Sequence, residues 1–160
     1  MKVLSLDIGL RNMGVVFFDS ATKHLAWQLV DLFVTTPKAR EQRDYCLMTH
    51  RMMKKYEELF DDADHILLER QMQSRMRVIA ASIRSRYFDK TKMIAPILVK
   101  RHFATSRGNH SDNKKAAINF VMSKYAIAKD PRFLKLRKRD DVADALLQAD
   151  YFLAQSSRST

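Results

Sequence analysis

The sequence predicts an α/β protein with a mixed five-stranded sheet, three antiparallel strands followed by two parallel strands, flanked by helices. Three β-type segments separated by hairpin-length loops open the chain. Apolar residues at helical spacing then alternate with two further apolar β-type segments. The resulting order βββαβαβαα joins an antiparallel hairpin sheet to right-handed crossovers, which add the last two strands in parallel.

The first half of the chain accounts for three strands and one helix. The strands are predicted over 2–9 (KVLSLDIG), 14–19 (GVVFFD) and 25–34 (LAWQLVDLFV). After Pro37 the apolar residues recur at steps of three or four, which predicts a single amphipathic helix. Its apolar positions are Tyr45, Met48, Met52, Tyr56 and Leu59.

The second half alternates strands with helices. Apolar runs predict a fourth strand over 65–69 (HILLE) and a fifth over 92–99 (KMIAPILV). Two further helices are predicted over 112–126, beginning at a Ser111 or Asp112 cap, and over 140–155. The helix between the two strands has a shared apolar face made of Met76, Ile79, Ala80, Ile83 and Tyr87.

Chain length and the cysteine count limit the class of protein. A chain of 160 residues can bury one core, so residues 1–154 are predicted to form one domain and 155–160 a disordered tail. The single cysteine, Cys46, has apolar neighbours and is expected to be a buried thiol. No apolar run reaches the roughly 18 residues of a membrane span and no signal peptide opens the chain, so an intracellular protein without a membrane partner is expected.

Positive charge is abundant and unevenly distributed. Lysine and arginine number 29 against 18 acidic residues, which gives a formal net charge of +11. Twelve of these basic residues and only two acids lie between Arg70 and Lys115, and six against one lie between Lys129 and Arg139. A single run of this kind can be an ordinary solvated face. Two such runs in one basic domain favour a polyanionic partner, nucleic acid rather than an anionic membrane.

Four carboxylates stand at positions where an α/β sheet builds sites. Asp7 lies near the end of the first strand, and Gly9 after it allows close approach of a backbone or ligand. Glu69 ends the fourth strand, so both acids project from the carboxyl ends of strands. On the last helix, Asp141 and Asp144 are three residues apart and share one face, and the spacing of four between Asp140 and Asp144 is also compatible with one face.

A cluster of four carboxylates requires a cation, because their mutual repulsion would otherwise protonate them. Oxygen ligands select hard ions such as Mg²⁺, and a pair of such ions is the common arrangement for phosphodiester hydrolysis. In a strongly basic protein this chemistry indicates a nuclease. Taken singly, Asp7 could be a turn residue, Asp140 or Asp141 a helix cap, and Glu69 an exposed partner of Arg70.

The motifs that carry these acids resemble those of one family. The stretch LSLDIGLRNMGVVFFD resembles the first hairpin of the RuvC-like Holliday junction resolvases, ILLERQ resembles their glutamate strand, and DDVADALLQA resembles their closing helix. The match spans nearly the whole chain. Chain size and the stretch ERQMQSRM make it most similar to the viral, poxvirus-type branch of that family.

The resemblance implies a ribonuclease H-like fold, a homodimer, and two Mg²⁺ ions per active site, for which Mn²⁺ can substitute. It implies a structure-selective DNA endonuclease that makes paired symmetric nicks across a four-way junction, leaving 5′-phosphates, at sites of DNA replication or recombination. By motif, the catalytic acids and metal ligands fall on Asp7, Glu69, Asp141 and Asp144; Asp140, one residue before the matching position, is either an alternate ligand or a residue that supports the ligands. No small-molecule cofactor is expected.

The family also places a lysine near the scissile phosphate, at the start of the helix before the last one. Lys114 aligns best with that position, and Lys115 is the neighbouring alternative. A helix N-terminus adds its own favourable dipole for a phosphate. Contacts with DNA are assigned to Arg75, Arg77, Lys100, Arg101, Arg107, Lys115, Arg137, Lys138 and Arg139.

Three other functions are compatible with parts of the pattern. A nuclease of the same fold that cleaves RNA or an RNA:DNA hybrid would share the acids. The stretch DIGLRNMG also resembles the phosphate loop of the actin and sugar-kinase superfamily, but those proteins need two such domains and this chain has length for one. A non-catalytic protein that binds branched DNA is the third alternative.

Overall fold

A central strand buried on both faces organises the sheet. The computed structural model describes residues 1–105 and 109–157. The five strands are β1 (Lys2–Asp7), β2 (Met13–Asp19), β3 (His24–Val30), β4 (His65–Glu69) and β5 (Thr91–Ile94). Their spatial order is β3-β2-β1-β4-β5; β1–β2 and β2–β3 pair antiparallel, whereas β1–β4 and β4–β5 pair parallel. The predicted mixed five-stranded sheet is therefore confirmed.

Helices cover both faces of this sheet. They are α1 (Leu32–Thr35), α2 (Tyr45–Lys55), α3 (Glu57–Asp62), α4 (Ser74–Arg86), α5 (Pro96–His102), α6 (His110–Lys124), α7 (Pro131–Lys135) and α8 (Arg139–Ser156). Short 3-10 helices occupy Ala39–Glu41, Phe88–Lys90 and Ala126–Lys129. Among the described residues, no helix combines the length and apolarity needed to cross a membrane.

Successive side chains of β1 point to opposite faces of the sheet, so the strand separates two layers of the core. Leu4 and Leu6 point to one face and pack with the buried side chains of α2, α3 and α4. Val3 points to the other face and packs with buried residues of α5, α6, α7 and α8. Each layer buries a continuous apolar cluster, so β1 and its last residue, Asp7, are held by packing from both sides.

Three strands end earlier than predicted: β1 ends at Asp7 rather than at residue 9, and β3 and β5 end well before their apolar runs do. β3 ends at Val30 because Asp31 caps α1, its side chain accepting a hydrogen bond from the Phe33 backbone N–H at 2.8 Å. β5 ends at Ile94, and Pro96 takes the first position of α5, where its missing N–H leaves no bond unmade. Apolar residues continue through both boundaries, so hydrophobicity alone does not reveal them.

Helix boundaries also differ from the prediction. The helix predicted over Tyr45 to Leu59 is interrupted at Tyr56, whose backbone (φ −114°, ψ 25°) leaves the α region and separates α2 from α3. The cap of α6 is Asn109, whose side chain accepts from the Asp112 N–H, rather than Ser111 or Asp112. At the C-terminus, α8 continues to Ser156, two residues into the segment predicted as a tail.

The prediction for Cys46 is wrong. Its side chain is exposed, because the buried face of α2 is formed by Met48, Thr49, Met52 and Met53. Position 46 lies outside that stripe, so the apolar neighbours of the cysteine in the sequence do not enclose it.

The end of α5 depends on the backbone conformation of Ala104, two residues after the helix. Ala104 has a positive φ of 51°, in the left-handed region that favours glycine, and the following Thr105 N–H closes the helix end on the Lys100 carbonyl at 3.0 Å. Ala104→Gly should therefore raise the free energy of unfolding by about 0.5–1 kcal/mol, measured by urea denaturation. The matched control is Ala81→Gly in the exposed interior of α4, which should lower it by about 1 kcal/mol. A loss of stability in both variants would contradict this reading of the helix end.

Candidate active site

Asp7 and Glu69 end two neighbouring parallel strands. In the β1–β4 ladder Leu6 lies opposite Leu68, so the next residue on each strand leaves the same edge of the sheet. After burial, the charge of Glu69 is the largest cause that raises the pKa of Asp7, so the two carboxyl groups lie close together. The strand register therefore fixes the first half of the site.

Asp141 and Asp144 arrive on the first turns of α8, which packs directly on β1 and β2. Gly14 makes this approach possible, since a Cβ at that position would lie 2.1 Å from the Asp141 carbonyl oxygen. In the β1–β2 ladder Gly14 is opposite Asp7. The contact between Gly14 and the backbone of α8 therefore brings the second pair of acids beside the first.

A buried amide fixes α8 farther along its length. Gln148 Nε2 donates hydrogen bonds to Ser5 Oγ at 3.0 Å and to the Leu6 carbonyl at 3.4 Å. Both Ser5 and Gln148 are buried, where an unpaired polar group would cost about 1–3 kcal/mol. The pairing therefore sets the position of the helix on β1.

Asp7, Glu69 and Asp144 line one cavity of about 50 Å³. This volume has room for a few water-sized particles. The cavity is also lined by Pro96, Val99, Lys100, Thr105, Leu147 and Gln148. Three of the four predicted acids thus converge on one space, and the charge of the fourth, Asp141, acts on Asp7 from beside it.

The acids strongly resist ionisation. Burial, followed by the charges of Glu69 and Asp144, raises the pKa of Asp7 well above its usual value. Burial likewise raises the pKa of Asp144 to about 7, with the charge of Glu69 as the second cause. The pKa of Asp141 is raised to about 6 by burial and by the charge of Asp140. At neutral pH a full set of carboxylate charges therefore requires compensation.

Lys114 lies on α6 beside this cluster. Its Nζ donates a hydrogen bond to Asp140 Oδ2 and forms an ion pair with it. That hydrogen bond is the largest cause that raises the pKa of Lys114, and the charges of Asp141 and Asp144 add to it. Asp140, the additional candidate ligand, is buried and paired with a lysine, and it is not among the residues that line the cavity.

Two of the basic residues predicted to contact DNA act on the acids. Lys100 lines the cavity, and its charge lowers the pKa of Asp144. Lys138, at the start of α8, lowers the pKa of Asp141. Burial outweighs both effects, since both pKa values remain raised.

The other predicted DNA contacts are spread over several elements. Arg75 and Arg77 are exposed on α4, Arg101 on α5 and Lys115 on α6. Arg137 is exposed before α8, and Arg139 is half-buried at its first position. Arg107 lies outside the described residues.

The donor set matches a hard cation. Asp7, Glu69 and Asp144 offer only oxygen, and none of the described residues that line the cavity is a histidine or a cysteine. Within residues 1–105 and 109–157, no three His, Cys, Asp or Glu side chains are already arranged to hold one ion. Ion binding would therefore require the carboxyl groups to turn toward one another, and Asp7 and Asp144, whose pKa values are raised, to release their protons.

Two contributors to the site were not identified from the sequence. Gln148 had a signal, because it lies four residues after Asp144 and so shares its helix face. Gly14 had a weaker one, a glycine that begins a β-type run. Its partner, the backbone at Asp141, is 127 positions away in the chain and no local pattern points to it.

Comparisons with known proteins agree with this architecture. Residues 1–155 match the family model described as "Poxvirus A22 protein". The fowlpox virus Holliday junction resolvase has a similar structure, with a TM-score of 0.66 and 18% identity over 97% of this chain and 99% of that chain. A fowlpox virus resolvase in complex with substrate Holliday junction DNA gives a TM-score of 0.66 and 21% identity over the same shares.

A bacterial structure is similar at lower identity. The T. thermophilus RuvC in complex with a Holliday junction substrate gives a TM-score of 0.52 and 12% identity, covering 97% of this chain and 96% of that chain. No curated protein sequence matches. These likenesses establish the fold, and they confirm the ribonuclease H-like sheet that the sequence predicts.

The raised pKa values predict that the metal-free protein loses stability as pH rises. The folded protein retains the Asp144 proton to a pH of about 7, whereas the unfolded chain releases it near the ordinary value of 3.8. Folding therefore takes up protons between these values, and the free energy of unfolding falls across the interval, on the order of 4 kcal/mol for Asp144. Urea unfolding in EDTA near pH 5 and pH 8 measures the change, and Asp144→Asn should remove part of it.

Added Mg²⁺ should reverse this trend. Because the cation binds ionised carboxylates, it should raise the free energy of unfolding more near pH 8 than near pH 5. Asp130→Asn is the control, since that aspartate lies at the start of α7 and pairs with Arg132; it should leave the Mg²⁺ effect unchanged. Equal unfolding curves with and without Mg²⁺ near pH 8 would contradict a metal site here.

Gly14→Ala tests the close approach of α8. The added methyl group must displace the backbone at Asp141, so we expect a loss of about 2–3 kcal/mol in stability and weaker Mg²⁺ binding by calorimetry. Gly9→Ala is the comparison, because its Cβ would meet the Asn12 carbonyl oxygen at 2.9 Å, within a loop that can adjust. Its loss of stability should be smaller, and the opposite ranking would show that α8 does not depend on Gly14.

Proposed function

The chain belongs to the poxvirus A22 protein family, and on that premise we propose that it is a metal-dependent endonuclease that resolves four-way DNA junctions by paired symmetric nicks. One observation carries the proposal: Asp7, Glu69 and Asp144 converge on one cavity in a chain of net charge +11. Crowded carboxylates suit a hard divalent cation, and excess positive charge suits a phosphate backbone. The similar structures bound to Holliday junctions support a branched substrate.

The four acids have a common role in the reaction. Asp7, Glu69, Asp141 and Asp144 would hold two Mg²⁺ ions, which when bound supply the Lewis-acid chemistry of phosphodiester hydrolysis. Asp7 and Asp144, whose pKa values are raised, release their protons as they become ligands. Water attacks the phosphorus in line with the departing 3′ oxygen, and the products are a 3′-hydroxyl and a 5′-phosphate.

The lysines act on the phosphate itself. Lys114 stands beside the acids on α6 and opposes the negative charge that develops on the phosphoryl oxygens. Lys100 extends from α5 into the cavity lining, where it can bind a non-bridging oxygen of the scissile phosphate. Both lysines are thus placed to bind the substrate while the carboxylates hold the ions.

The remaining basic residues guide the DNA. Exposed side chains on α4, α5, α6 and the segment before α8 contact phosphates and leave base sequence largely unread. They are Arg75, Arg77, Arg101, Lys115, Arg137 and Lys138. Arg77 also lines a groove of about 240 Å³ with Arg70 and Arg84, which adds a phosphate-binding track beside the carboxyl end of β4.

A homodimer supplies the second nick. Paired symmetric cleavage requires two active sites at a fixed separation, which a two-fold dimer provides. We place the interface on α4, whose inner face packs on the core through Ile79 and Ile83, whereas Val78 and the preceding Met72 remain exposed. The enzyme would act inside the infected cell, where viral DNA is replicated.

Cleavage of a labelled synthetic four-way junction in Mg²⁺ tests the function. We expect nicks at symmetric positions on two opposing strands, with ligatable 5′-phosphates, and little cleavage of linear duplex, RNA:DNA hybrid or single-stranded RNA. Binding should weaken steeply with salt, because each neutralised phosphate releases counterions. Asp144→Asn, assayed for binding in Ca²⁺, should keep its affinity for the junction and lose at least about 100-fold in cleavage rate.

The substrate panel distinguishes the alternatives. Preferred cleavage of the hybrid or of RNA would show that the same active site acts on that substrate rather than on a four-way junction. Junction binding without nicking by the wild-type protein would indicate a non-catalytic binder.

A further inference from the structure

Asp140 has a position that the metal-holding function does not explain. It is only 6% exposed, its carboxylate is paired with Lys114, and the cavity formed by the other acids is lined without it. We infer that Asp140 is a positioning residue that holds the Lys114 ammonium group beside the scissile phosphate and away from the metal ligands. The inference rests on the proposed function and assigns Asp140 a role other than ligand.

A contact with α6 distinguishes Asp140 from the other two aspartates of α8. At about 100° per residue, Asp140 and Asp141 lie about 40° and 60° to either side of Asp144 around the helix axis, so helical geometry alone does not exclude Asp140 from the ligand face. Asp144 points into the cavity, and Asp140 is directed toward α6, where Lys114 lies. Consecutive aspartates on one helix therefore face different neighbours.

A lysine at this position needs a fixed partner. Its long side chain can adopt many rotamers, and its ammonium group is a point charge with little directionality. The Lys114 side chain is 32% exposed, so packing alone does not fix it. A buried carboxylate such as Asp140 holds one N–H of the ammonium group and leaves two for phosphate oxygens.

The partner also prevents a competing interaction. The charges of Asp141 and Asp144 already raise the pKa of Lys114, so both acids attract its ammonium group. A lysine that paired with either of them would occupy the oxygens that a cation needs. Asp140 provides a nearer partner, so Lys114 can remain close to the acids while their oxygens stay available.

The neighbouring lysine cannot take this role. Lys115 is about 100° away from Lys114 around α6 and is exposed. It lines a separate groove with Asp112, Asn119 and Phe120. The pairing with Asp140 therefore distinguishes Lys114 from Lys115, a choice that the sequence leaves open.

The chain contains a matched control for this pair. Lys124 and Asp150 form an ion pair at 3.0 Å between the same two helices. Each partner lies ten residues beyond its counterpart in the Lys114–Asp140 pair, so the two helices run parallel and the second pair is far from the cavity. Asp150→Asn removes a more exposed lysine–aspartate pair between the same two helices, and changes the acceptor of the Tyr125 hydroxyl, without touching the site.

The experiment compares Asp140→Asn with Asp150→Asn in three measurements. These are single-turnover nicking of the four-way junction, Mg²⁺ binding by calorimetry, and the order of the Lys114 ammonium group by ¹⁵N NMR. We expect Asp140→Asn to slow nicking by roughly 10- to 100-fold, to keep the Mg²⁺ stoichiometry and a Kd within about twofold, and to release Lys114 into free rotation. Asp150→Asn should change none of the three.

Coupling between the residues provides a further criterion. If Asp140 acts through Lys114, the double variant Asp140→Asn/Lys114→Met should be no slower than Lys114→Met alone. Asp140→Glu, which keeps the charge, should nick within about fivefold of the wild type and keeps the test available if Asp140→Asn does not fold. The inference would be overturned by loss of a bound Mg²⁺ in either Asp140 variant, or by an unchanged order of the Lys114 ammonium group in Asp140→Asn. Rate losses that multiply in the double variant would also overturn it.

Failure of the proposed function would look different. A wild-type protein that nicks no junction contradicts the resolvase proposal. The Mg²⁺ and NMR measurements do not use DNA, so they still decide whether Asp140 holds Lys114 or a cation.

Discussion

Repulsion among buried carboxylates is the constraint on which this structure depends. Asp7 and Glu69 cannot separate, because each ends a strand whose preceding residues pair in register and are fully buried. Apolar packing on both faces of β1 supplies the stability that holds them there. The unfavourable charge is therefore relieved by protons or by a cation rather than by movement of the backbone.

The helix that completes the site is held by contacts of backbone and amide. Gly14 lets the first turn of α8 touch β2, and the Gln148 amide ties the third turn to Ser5 on β1. Neither contact involves a carboxylate. The scaffold thus sets the separation of the acids independently of their charge, as a site must do if its electrostatic strain is to be used in binding.

Local sequence patterns were sufficient to predict the sheet, and the positions of the acids at its edge followed from that prediction. The ends of β1 and β4 are marked by apolar runs that stop on Asp7 and Glu69, so their convergence follows from parallel pairing. By contrast, the apolar segments at 31–34 and 96–99 could be either strand or buried helix, and the deciding signals were single residues, Asp31 and Pro96. Long apolar runs outweighed these signals in the prediction.

Tertiary partners were beyond the reach of periodicity. The sequence places Asp140, Asp141 and Asp144 together, but only the packing of α6 against α8 separates the lysine-paired aspartate from the others. Likewise, Cys46 has apolar neighbours along the chain, and its exposure depends on which stripe of α2 meets the core. Contacts between distant segments decide both cases, and one sequence contains no record of them.

The contrast between two aspartates shows how the environment separates structural from functional carboxylates. Asp130 accepts hydrogen bonds from Arg132 and from the Trp27 indole, and these contacts lower its pKa to about 2. Asp144 has a lysine nearby, yet burial beside Glu69 raises its pKa to about 7. The ion pair with Arg132 neutralises the charge of Asp130. The charge of Asp144 is not neutralised in the same way, although the chain carries a large excess of positive charge. Lys100 lines the same cavity and lowers the pKa of Asp144, yet that pKa stays raised, so one lysine does not neutralise the acids and a bound cation best explains their arrangement.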